Sequence, residues 1–221
     1  MKNIIFLAPP AAGKGTISNF LKETYGYQHI SSGKIFRERI KQNENQEGEL
    51  NEIIKSGKLV NDELLFRCIK EKLQIISKEK YFILDGVPRT LQQAKFLDII
   101  LRDLGFLDYI VINIKVKKEI LHLRFTGRRI CPNCQKTYNI FFEKFKPHKK
   151  LTCDDCGLLL KERVDDTEES FRVRYETFVK NNEEIVKYYK EKNCLYELDY
   201  NDDDQATLKE IQRIVGAFVD K

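Results

Sequence analysis

The stretch that decides the fold of this chain is IIFLAPPAAGKGT, from Ile4 to Thr16. An apolar run leads into alanines and prolines, and Gly13 and Lys14 then open a stretch with helical periodicity. A strand, a turn and a helix N-terminus in this order can bind phosphate, because the helix presents free N–H groups and the lysine reaches the outer phosphates. We therefore predict a phosphate-binding loop here. An ordinary strand-to-helix turn is the alternative.

This loop departs from the usual pattern at two positions. Phosphate loops begin with a glycine five residues before the Gly-Lys pair, where this chain has Ala8. Many such loops also carry glycine at the position of Ala11. A left-handed backbone would cost alanine about 1–2 kcal/mol at either position. We expect a usable loop with an altered backbone.

Further apolar runs alternate with helical patterns along the chain. Together with the first, they predict five strands at Asn3–Ala8, Gln28–Ile30, Tyr81–Leu84, Tyr109–Val116 and Leu195–Leu198. Strands that alternate with helices predict an α/β fold whose central parallel sheet is flanked by helices. Two segments interrupt the alternation, namely a polar helical insertion at 31–65 and a cysteine-bearing insertion at 127–164. The core then comprises 1–30, 66–126 and 165–221.

Composition excludes several classes of protein. The chain has 221 residues, a net charge of +5 and 33% charged residues, which favours neither a dedicated nucleic-acid binder nor a disordered chain. It contains no apolar run of about 18 residues and no signal-peptide pattern, so we expect a cytoplasmic protein without a membrane partner. The basic excess is concentrated between Lys115 and Lys150. That patch needs an acidic partner or solvent.

Four of the six cysteines form two C-x-x-C pairs, Cys131 with Cys134 and Cys153 with Cys156. This spacing is typical of a structural zinc site with four thiolate ligands and no open position. Two disulfides or buried thiols are the alternatives. A zinc ribbon with basic neighbours could also bind nucleic acid.

Six motifs occur in one order over nearly the whole chain. They are GKGT (Gly13–Thr16), SSGKIFR (Ser31–Arg37), GKLVNDEL (Gly57–Leu64), LDGVPRT (Leu84–Thr90), GRRICPNC (Gly127–Cys134) and RVDDTEESFRVR (Arg163–Arg174). In this order the chain resembles the adenylate kinases, in their long form with a cysteine-bearing lid. The resemblance implies a P-loop kinase fold in which the first insertion binds the monophosphate and the second is a zinc-ribbon-like lid. It also implies a monomer that converts ATP and AMP into two ADP with Mg²⁺.

Phosphoryl transfer between two nucleotides requires two polyanions to be aligned and their repulsion cancelled. Arginine suits this task because its planar fork can hold phosphate oxygens in pairs. By the resemblance, the catalytic residues are Lys14, Arg89, Arg128, Arg163 and Arg174. The implied ATP contacts are Ala11, Ala12, Gly13, Lys14, Gly15, Thr16, Arg124, Arg128, Thr137 and Tyr138. The implied AMP contacts are Ser32, Arg37, Lys58, Leu59, Val60, Gly86, Val87, Pro88, Arg89, Gln93, Arg163 and Arg174.

The remaining expectations concern the base, the metal and the departures from the family. An amide can meet both the donor and the acceptor of an adenine edge, so Gln93 favours AMP over pyrimidine monophosphates. The resemblance gives Asp85 the role of holding Mg²⁺ through water. The chain departs from the family at Lys34, Val87 and Tyr200, where Asp, Phe and Gly are usual, and these changes bear on rate and metal dependence. Another donor or acceptor, such as GTP with AMP, is a separate alternative. A weakened protein that binds nucleotide or nucleic acid is a further alternative.

Overall fold

The computed structural model describes residues 1–42, 48–76, 80–201 and 204–216. The predicted α/β fold with five parallel strands in a helix-flanked sheet is confirmed. Residues 43–47 of the predicted first insertion, and 77–79, 202–203 and 217–221 of the predicted core, lie outside the described residues. Within the described ranges, none of the helices combines the length and the apolar character that a membrane crossing requires.

The central sheet has five strands, and eight helices surround it or extend from it within the described residues. The strands of the central sheet are β1 (Asn3–Leu7), β2 (Gln28–Ser31), β3 (Phe82–Asp85), β4 (Tyr109–Lys115) and β7 (Leu195–Asp199). The helices are α1 (Lys14–Tyr25), α2 (Ser32–Gln42), α3 (Gly48–Ser56), α4 (Asp62–Ile75), α5 (Leu91–Asp103), α6 (Lys118–Thr126), α7 (Glu168–Glu191) and α8 (Asp204–Gly216).

The sheet order β2-β3-β1-β4-β7 puts β1 at the centre. In the parallel pairing of β1 with β3, Phe6 lies opposite Asp85, so the loops that follow these two strands leave the same edge. Ligands of open α/β sheets bind beyond this carboxyl edge. The sheet order therefore brings the predicted phosphate loop beside the Asp-Gly-x-Pro-Arg motif, although the two are far apart in the sequence.

Both faces of the sheet are buried, because successive side chains of a strand point in opposite directions. Ile5 and Leu7 join a cluster that includes side chains of α4, α5 and α7. Ile4 and Phe6 join a second cluster, with side chains of α1, α6 and α8. The two layers hold the carboxyl edge rigidly, and the site is built on that edge.

The first insertion is helical, as predicted, but its predicted end lies inside a helix. α4 runs without interruption from Asp62, with the Asn61 side chain as its N-cap, so a boundary after Leu65 would cut the first turn of that helix. The Asn61 carboxamide oxygen accepts hydrogen bonds from the main-chain N–H groups of Glu63 and Leu64. We therefore propose that the insertion ends at Asn61.

The second insertion has its own small sheet. Strands β5 (Arg128–Ile130) and β6 (Thr137–Asn139) pair antiparallel, and a 3-10 turn follows at Glu143–Phe145. The core of this segment consists of Cys131, Tyr138, Cys153 and Leu160, with Cys156 packed against it. The segment starts directly after α6 and ends close to the start of α7, so these two helices flank both of its connections to the core.

Candidate active site

The loop after β1 has the geometry of a phosphate cradle. Gly13 has a left-handed backbone with φ 82° and precedes the first residue of α1, so the first N–H groups of that helix are left without intrahelical partners. The Lys14 ammonium donates a hydrogen bond to the Pro9 carbonyl at 3.0 Å, which folds its side chain back over the loop. The lysine and the helix N-terminus therefore face the same small volume.

The two alanines of this loop differ in backbone conformation. Ala11 has a left-handed backbone with φ 59°, whereas Ala8 is not among the residues of positive φ in the described chain. Only Ala11 therefore bears the cost of about 1–2 kcal/mol for an L-residue in that conformation. Many phosphate loops have glycine at this position, which avoids the strain. In this chain the loop forms with a strained alanine.

Tyr200 closes one side of the loop. Its ring is 2% exposed and lies so near Gly13 that an added Cβ at Gly13 would sit 2.2 Å from the Tyr200 Cε1 atom. The Arg124 guanidinium stacks on this ring at 4.3 Å from its centroid and donates to the Tyr200 carbonyl at 3.1 Å. Arg124, a predicted ATP contact, therefore packs on Tyr200, whose ring in turn lies against the loop at Gly13.

Asp85 ends β3 beside the loop. Its carboxylate lies 3.8 Å from the Lys14 ammonium and 3.4 Å from the His29 imidazole. Burial alone would raise the pKa of Asp85, but Lys14, His29 and Arg89 together lower it to about 2. Burial lowers the pKa of Lys14, and Asp85 opposes that effect. Asp85 is therefore an anion that fits a hydrated divalent cation at this position.

His29 is a residue that the sequence did not single out. It lies on β2, and the parallel pairing of β2 with β3 places Ser31 opposite Asp85, two residues further along. Nothing in the local sequence signals a partner for this histidine. Its proximity to Asp85 follows only from the pairing of the two strands.

Asp165 collects three of the predicted arginines. Its carboxylate accepts a hydrogen bond from Arg174 at 2.9 Å and lies 3.5 Å from both Arg37 and Arg163. The side chain is only 5% exposed. Burial would raise the pKa of Asp165, and these three arginines lower it to about 2. One buried carboxylate thus connects the first insertion, the end of the second and α7.

Arg128 pairs with Asp166, the residue that follows Asp165. Its Nε and Nη2 atoms each donate to the Asp166 carboxylate at 2.6 Å, a bidentate pair with the acid side chain 4% exposed. Asp166 and Asp165 thus each hold an arginine of the second insertion, Arg128 and Arg163. The structure adds that Arg37 and Arg174, from other elements, share Asp165.

Crowding of cations makes this region strongly electropositive. Burial and the neighbouring Arg174 lower the pKa of Arg89 to about 10. Burial, Arg128 and Arg37 lower the pKa of Arg163 to about 9. Depressed arginine pKa values mean that the positive charges repel one another in a poorly solvated space. An incoming polyanion would relieve that repulsion.

A second cleft lies between the first insertion and the loop after β3. Its lining includes Ser32, Lys58, Leu59, Val60, Gly86, Arg89 and Gln93, all of them predicted acceptor contacts. The Ser32 hydroxyl lies over Gly86, where an added Cβ would be 2.4 Å from Oγ. Arg37 packs against Gly33, a further residue of the lining. The motifs therefore converge on one cleft.

Two predicted acceptor contacts are placed differently. The Val87 side chain is fully buried in the core cluster under the cleft, and neither Val87 nor Pro88 is among the residues that line the cleft. The replacement of a usual Phe by Val87 is therefore a change of core packing. The neighbouring Gly86 and Arg89 do line the cleft.

The two predicted donor contacts in the second insertion differ in exposure. Thr137 is exposed, but the Tyr138 ring is 4% exposed and its hydroxyl accepts a hydrogen bond from the Asp154 N–H at 2.9 Å. The Tyr138 side chain belongs to the core of the insertion and is not free to flank a base. Any contact of Tyr138 with a donor base is left to its main chain.

The four paired cysteines form one cluster. Their sulfur atoms all lie within 4.8 Å of one another, and Cys134 and Cys153 are 3.6 Å apart. A tetrahedron with zinc–sulfur bonds of about 2.3 Å has edges of about 3.8 Å, so the cluster fits that ion. All six cysteines of the chain are free, so the alternative of two disulfides is wrong for this structure. The Tyr138 hydroxyl lowers the pKa of the Cys153 thiol, which favours the thiolate that a metal needs.

Two matching turns present these sulfurs. The Gln135 N–H donates to the Cys131 carbonyl at 3.1 Å, and the Gly157 N–H donates to the Cys153 carbonyl at 2.9 Å. Both turn residues have left-handed backbones, with φ 62° at Gln135 and 68° at Gly157. The repeated C-x-x-C spacing thus forms two turns of the same geometry.

A strand with a phosphate cradle, an arginine cluster and a second cleft with cationic side chains define a phosphotransferase of the nucleoside monophosphate kinase class. Comparison with known proteins agrees, since the model of the family described as adenylate kinase matches residues 6–194. The chain belongs to the adenylate kinase family.

Individual relatives resemble this chain over nearly its whole length. It is 41% identical to an adenylate kinase of Thermosipho melanesiensis over 213 residues, which cover 96% of this chain and 99% of the relative. An adenylate kinase of Archaeoglobus fulgidus is also 41% identical, over 96% of this chain and 97% of its own length. One of Bacillus pumilus is 42% identical over 89% of this chain and 90% of the relative.

Proposed function

We propose that this enzyme transfers the terminal phosphoryl group of Mg²⁺-bound ATP to AMP, reversibly, giving two ADP. One observation carries the proposal. Asp165 gathers Arg37, Arg163 and Arg174, and the charge of Arg174 acts both on Lys14 of the phosphate loop and on Arg89 of the acceptor cleft. A site for one anion would not need charges from three separate elements, whereas a site that brings two polyanions together does.

The transfer needs positioning and charge rather than a general base. In the proposed reaction an oxygen of the AMP phosphate attacks the terminal phosphorus of ATP, and the bond from that phosphorus to the bridging oxygen of ADP breaks. The attacking phosphate is already an anion, so no side chain has to remove a proton. Lys14 and the arginines offset the charge on the group in transfer.

The donor would occupy the loop after β1. Its phosphates would accept hydrogen bonds from the main-chain N–H groups of α1 and from Lys14, with Arg128 reaching them from the second insertion. The proposed donor set is Ala11, Ala12, Gly13, Lys14, Gly15, Thr16, Arg124, Arg128 and Thr137, with Tyr138 contributing through its main chain.

The acceptor would occupy the second cleft. Arg37 and Arg89 would hold its phosphate, and Arg163 and Arg174 would lie between the two nucleotides. The proposed acceptor set is Ser32, Arg37, Lys58, Leu59, Val60, Gly86, Arg89, Gln93, Arg163 and Arg174. The first insertion, 31–61, and the second, 127–164, would close over the substrates and exclude water that could accept the phosphoryl group.

Two metals belong to this proposal. Mg²⁺ would enter with ATP and add positive charge to its phosphates, and Asp85 would hold it through water. Zn²⁺ would be held by Cys131, Cys134, Cys153 and Cys156 and would stabilise the second insertion without taking part in the reaction, since all four positions are filled by protein. Free cysteines suit a reducing compartment, so we propose a cytoplasmic enzyme, active as a monomer.

A coupled assay of ADP formation tests this function. The enzyme is supplied with Mg²⁺, with ATP or GTP as donor, and with AMP, UMP or CMP as acceptor. We expect turnover with ATP and AMP and a loss of at least about a hundredfold in Arg89→Ala, because a buried phosphate contact is removed. Arg102→Ala, an exposed arginine outside the site, should leave the rate unchanged.

Other outcomes would redirect the proposal. Turnover with GTP but not ATP would retain the reaction and change the donor. Absence of turnover with every acceptor, from folded and metal-loaded protein, would contradict the proposal. Binding of nucleotide without turnover would then favour a nucleotide-binding protein.

A further inference from the structure

The amide of Gln93 is held at both ends inside the acceptor cleft. Its Oε1 atom accepts a hydrogen bond from the Arg89 main-chain N–H at 2.7 Å. Its Nε2 atom donates to the Asp62 carboxylate at 2.7 Å. Gln93 is 1% exposed, so neither contact has a ready replacement from solvent.

These two partners fix which way the amide points. An N–H group can only donate and a carboxylate can only accept, so Oε1 must face Arg89 and Nε2 must face Asp62. Rotation of the amide by half a turn would set Nε2 against an N–H donor and Oε1 against a carboxylate. Both hydrogen bonds would be lost, and atoms with partial charges of the same sign would face each other. Unpaired polar groups are costly at such a buried position.

The main chain around Gln93 is equally well determined. Thr90 is the N-cap of α5, and its hydroxyl accepts from the Gln93 N–H at 3.1 Å. Asp62 is the first residue of α4, directly after the N-cap Asn61. Two capped helix starts therefore carry the two side chains, and the 2.7 Å contact joins the start of α4 to α5.

A glutamine amide has two N–H donors and two oxygen lone pairs, and the Gln93 amide uses one of each on Asp62 and Arg89. One N–H and one lone pair therefore remain for a ligand. An adenine edge offers the N6 amino group as donor and a ring nitrogen as acceptor, which matches the locked orientation. A 6-oxopurine reverses this polarity, with an oxygen acceptor and an N1–H donor. A free glutamine amide could accommodate the reversed edge by rotating, and a locked amide cannot.

We propose that Asp62 is a specificity-determining positioning residue, which selects a 6-aminopurine acceptor over a 6-oxopurine by preventing rotation of the Gln93 amide. This inference rests on the proposed function, since it takes the acceptor base to face Gln93. Asp62 itself acts only through Gln93.

The test compares AMP with IMP, two acceptors of the same size whose purine edges have opposite hydrogen-bond polarity. The variant is Asp62→Asn, which keeps the shape of the side chain but can pair with Gln93 in either orientation. We expect the ratio of kcat/KM for AMP to kcat/KM for IMP to fall about tenfold, the value of one lost hydrogen bond to a charged group. The change should reside in KM, with a higher KM for AMP, a lower KM for IMP and a nearly constant kcat for AMP.

Two comparisons separate this role from a structural one. Glu63→Gln removes the same charge from the same helix turn, but the Glu63 side chain is exposed, so the AMP-to-IMP ratio should not change. In a Gln93→Ala background, Asp62→Asn should have no further effect on the ratio, because the amide through which it acts is gone. Calorimetric binding of AMP and IMP should reproduce the change in Asp62→Asn, and its absence in Glu63→Gln, without turnover.

The outcomes are distinguishable from failure of the proposed function. If the wild-type enzyme uses AMP and Asp62→Asn leaves the AMP-to-IMP ratio unchanged, Asp62 does not set the polarity of the cleft and the inference is wrong. The same conclusion follows if the KM values for both acceptors rise by one common factor. If the wild-type enzyme uses neither acceptor, the proposed function has failed.

Discussion

At the scale of single residues, this chain places a non-glycine residue where the backbone favours glycine. Ala11 has φ 59° within the phosphate loop, whereas its neighbour Ala12 is fully buried and is not among the residues of positive φ in the described chain. The same change to glycine should therefore have opposite effects at the two positions. Tyr200 constrains another position of the same loop, because its ring leaves no space for a side chain at Gly13.

We predict that Ala11→Gly raises the free energy of unfolding by up to about 1 kcal/mol. Relief of left-handed strain, worth about 1–2 kcal/mol, exceeds the entropy that glycine loses on folding, about 0.5–1 kcal/mol. Ala12→Gly should lower the same quantity by about 1 kcal/mol or more, because it adds that entropy loss and removes a buried methyl group. Denaturant titration of both variants measures the difference. A decrease in stability in Ala11→Gly would contradict the strain at this position.

At the scale of elements, the second insertion depends on its cysteine cluster. Its described core has only a few buried side chains, and three of the four buried ones, Cys131, Cys153 and Tyr138, belong to the cluster or contact it. Such a small segment cannot bury enough apolar surface to order itself, so a bound metal should supply the stabilisation. The loop turns at Gln135 and Gly157 only position the sulfurs.

We predict that Cys153→Ser reduces the zinc content of the purified protein from about one ion per chain towards zero and lowers its Tm. Protease cleavage should then occur preferentially between 127 and 164. Cys194→Ser is the matched control, because Cys194 is remote in sequence from the cluster and only partly buried, and it should retain the metal. Metal analysis and limited proteolysis provide the readouts. Equal zinc content in the two variants would refute the assignment of these ligands.

At the scale of the whole molecule, Asp165 connects elements that are distant in sequence. It pairs with Arg37 on α2, with Arg163 and with Arg174 on α7, and Arg174 also donates to the Ile54 carbonyl on α3 at 3.0 Å. The folded-state pKa of about 2 lies below the value of about 3.9 for a free aspartate. The stabilisation from Asp165 is therefore complete above about pH 4 and is lost as the pH falls towards 2.

We predict that Asp165→Asn lowers the free energy of unfolding at pH 7 by about 3 kcal/mol, because three partly buried arginines lose their buried counter-ion. The difference from the wild type should shrink as the pH falls from about 4 to about 2, where the wild-type carboxylate becomes protonated. Denaturant titrations at pH 7, 4 and 3 measure this trend. Asp108→Asn, at a side chain 83% exposed, should show no such trend. A difference that is constant with pH would contradict the depressed pKa of Asp165.

The sequence by itself determined the local features of this protein. Apolar runs and helical periodicity predicted all five strands of the sheet, because burial imposes a period on each element separately. The phosphate loop and the two cysteine turns followed from short motifs whose chemistry depends on neighbouring residues. The arginines of the site were identified because each lies within a motif that resembles the family.

Only the tertiary structure decided which distant groups meet. The strand order brings His29 to Asp85, and the tertiary fold brings Arg37 on α2 to Asp165, a separation of 128 positions along the chain. Burial of Tyr138 and Val87, and the continuity of α4 through the predicted boundary, likewise depend on neighbours that local sequence does not specify. The physical reason is that periodicity and turn chemistry act within a few residues, whereas ion pairs and side-chain orientation depend on packing between elements.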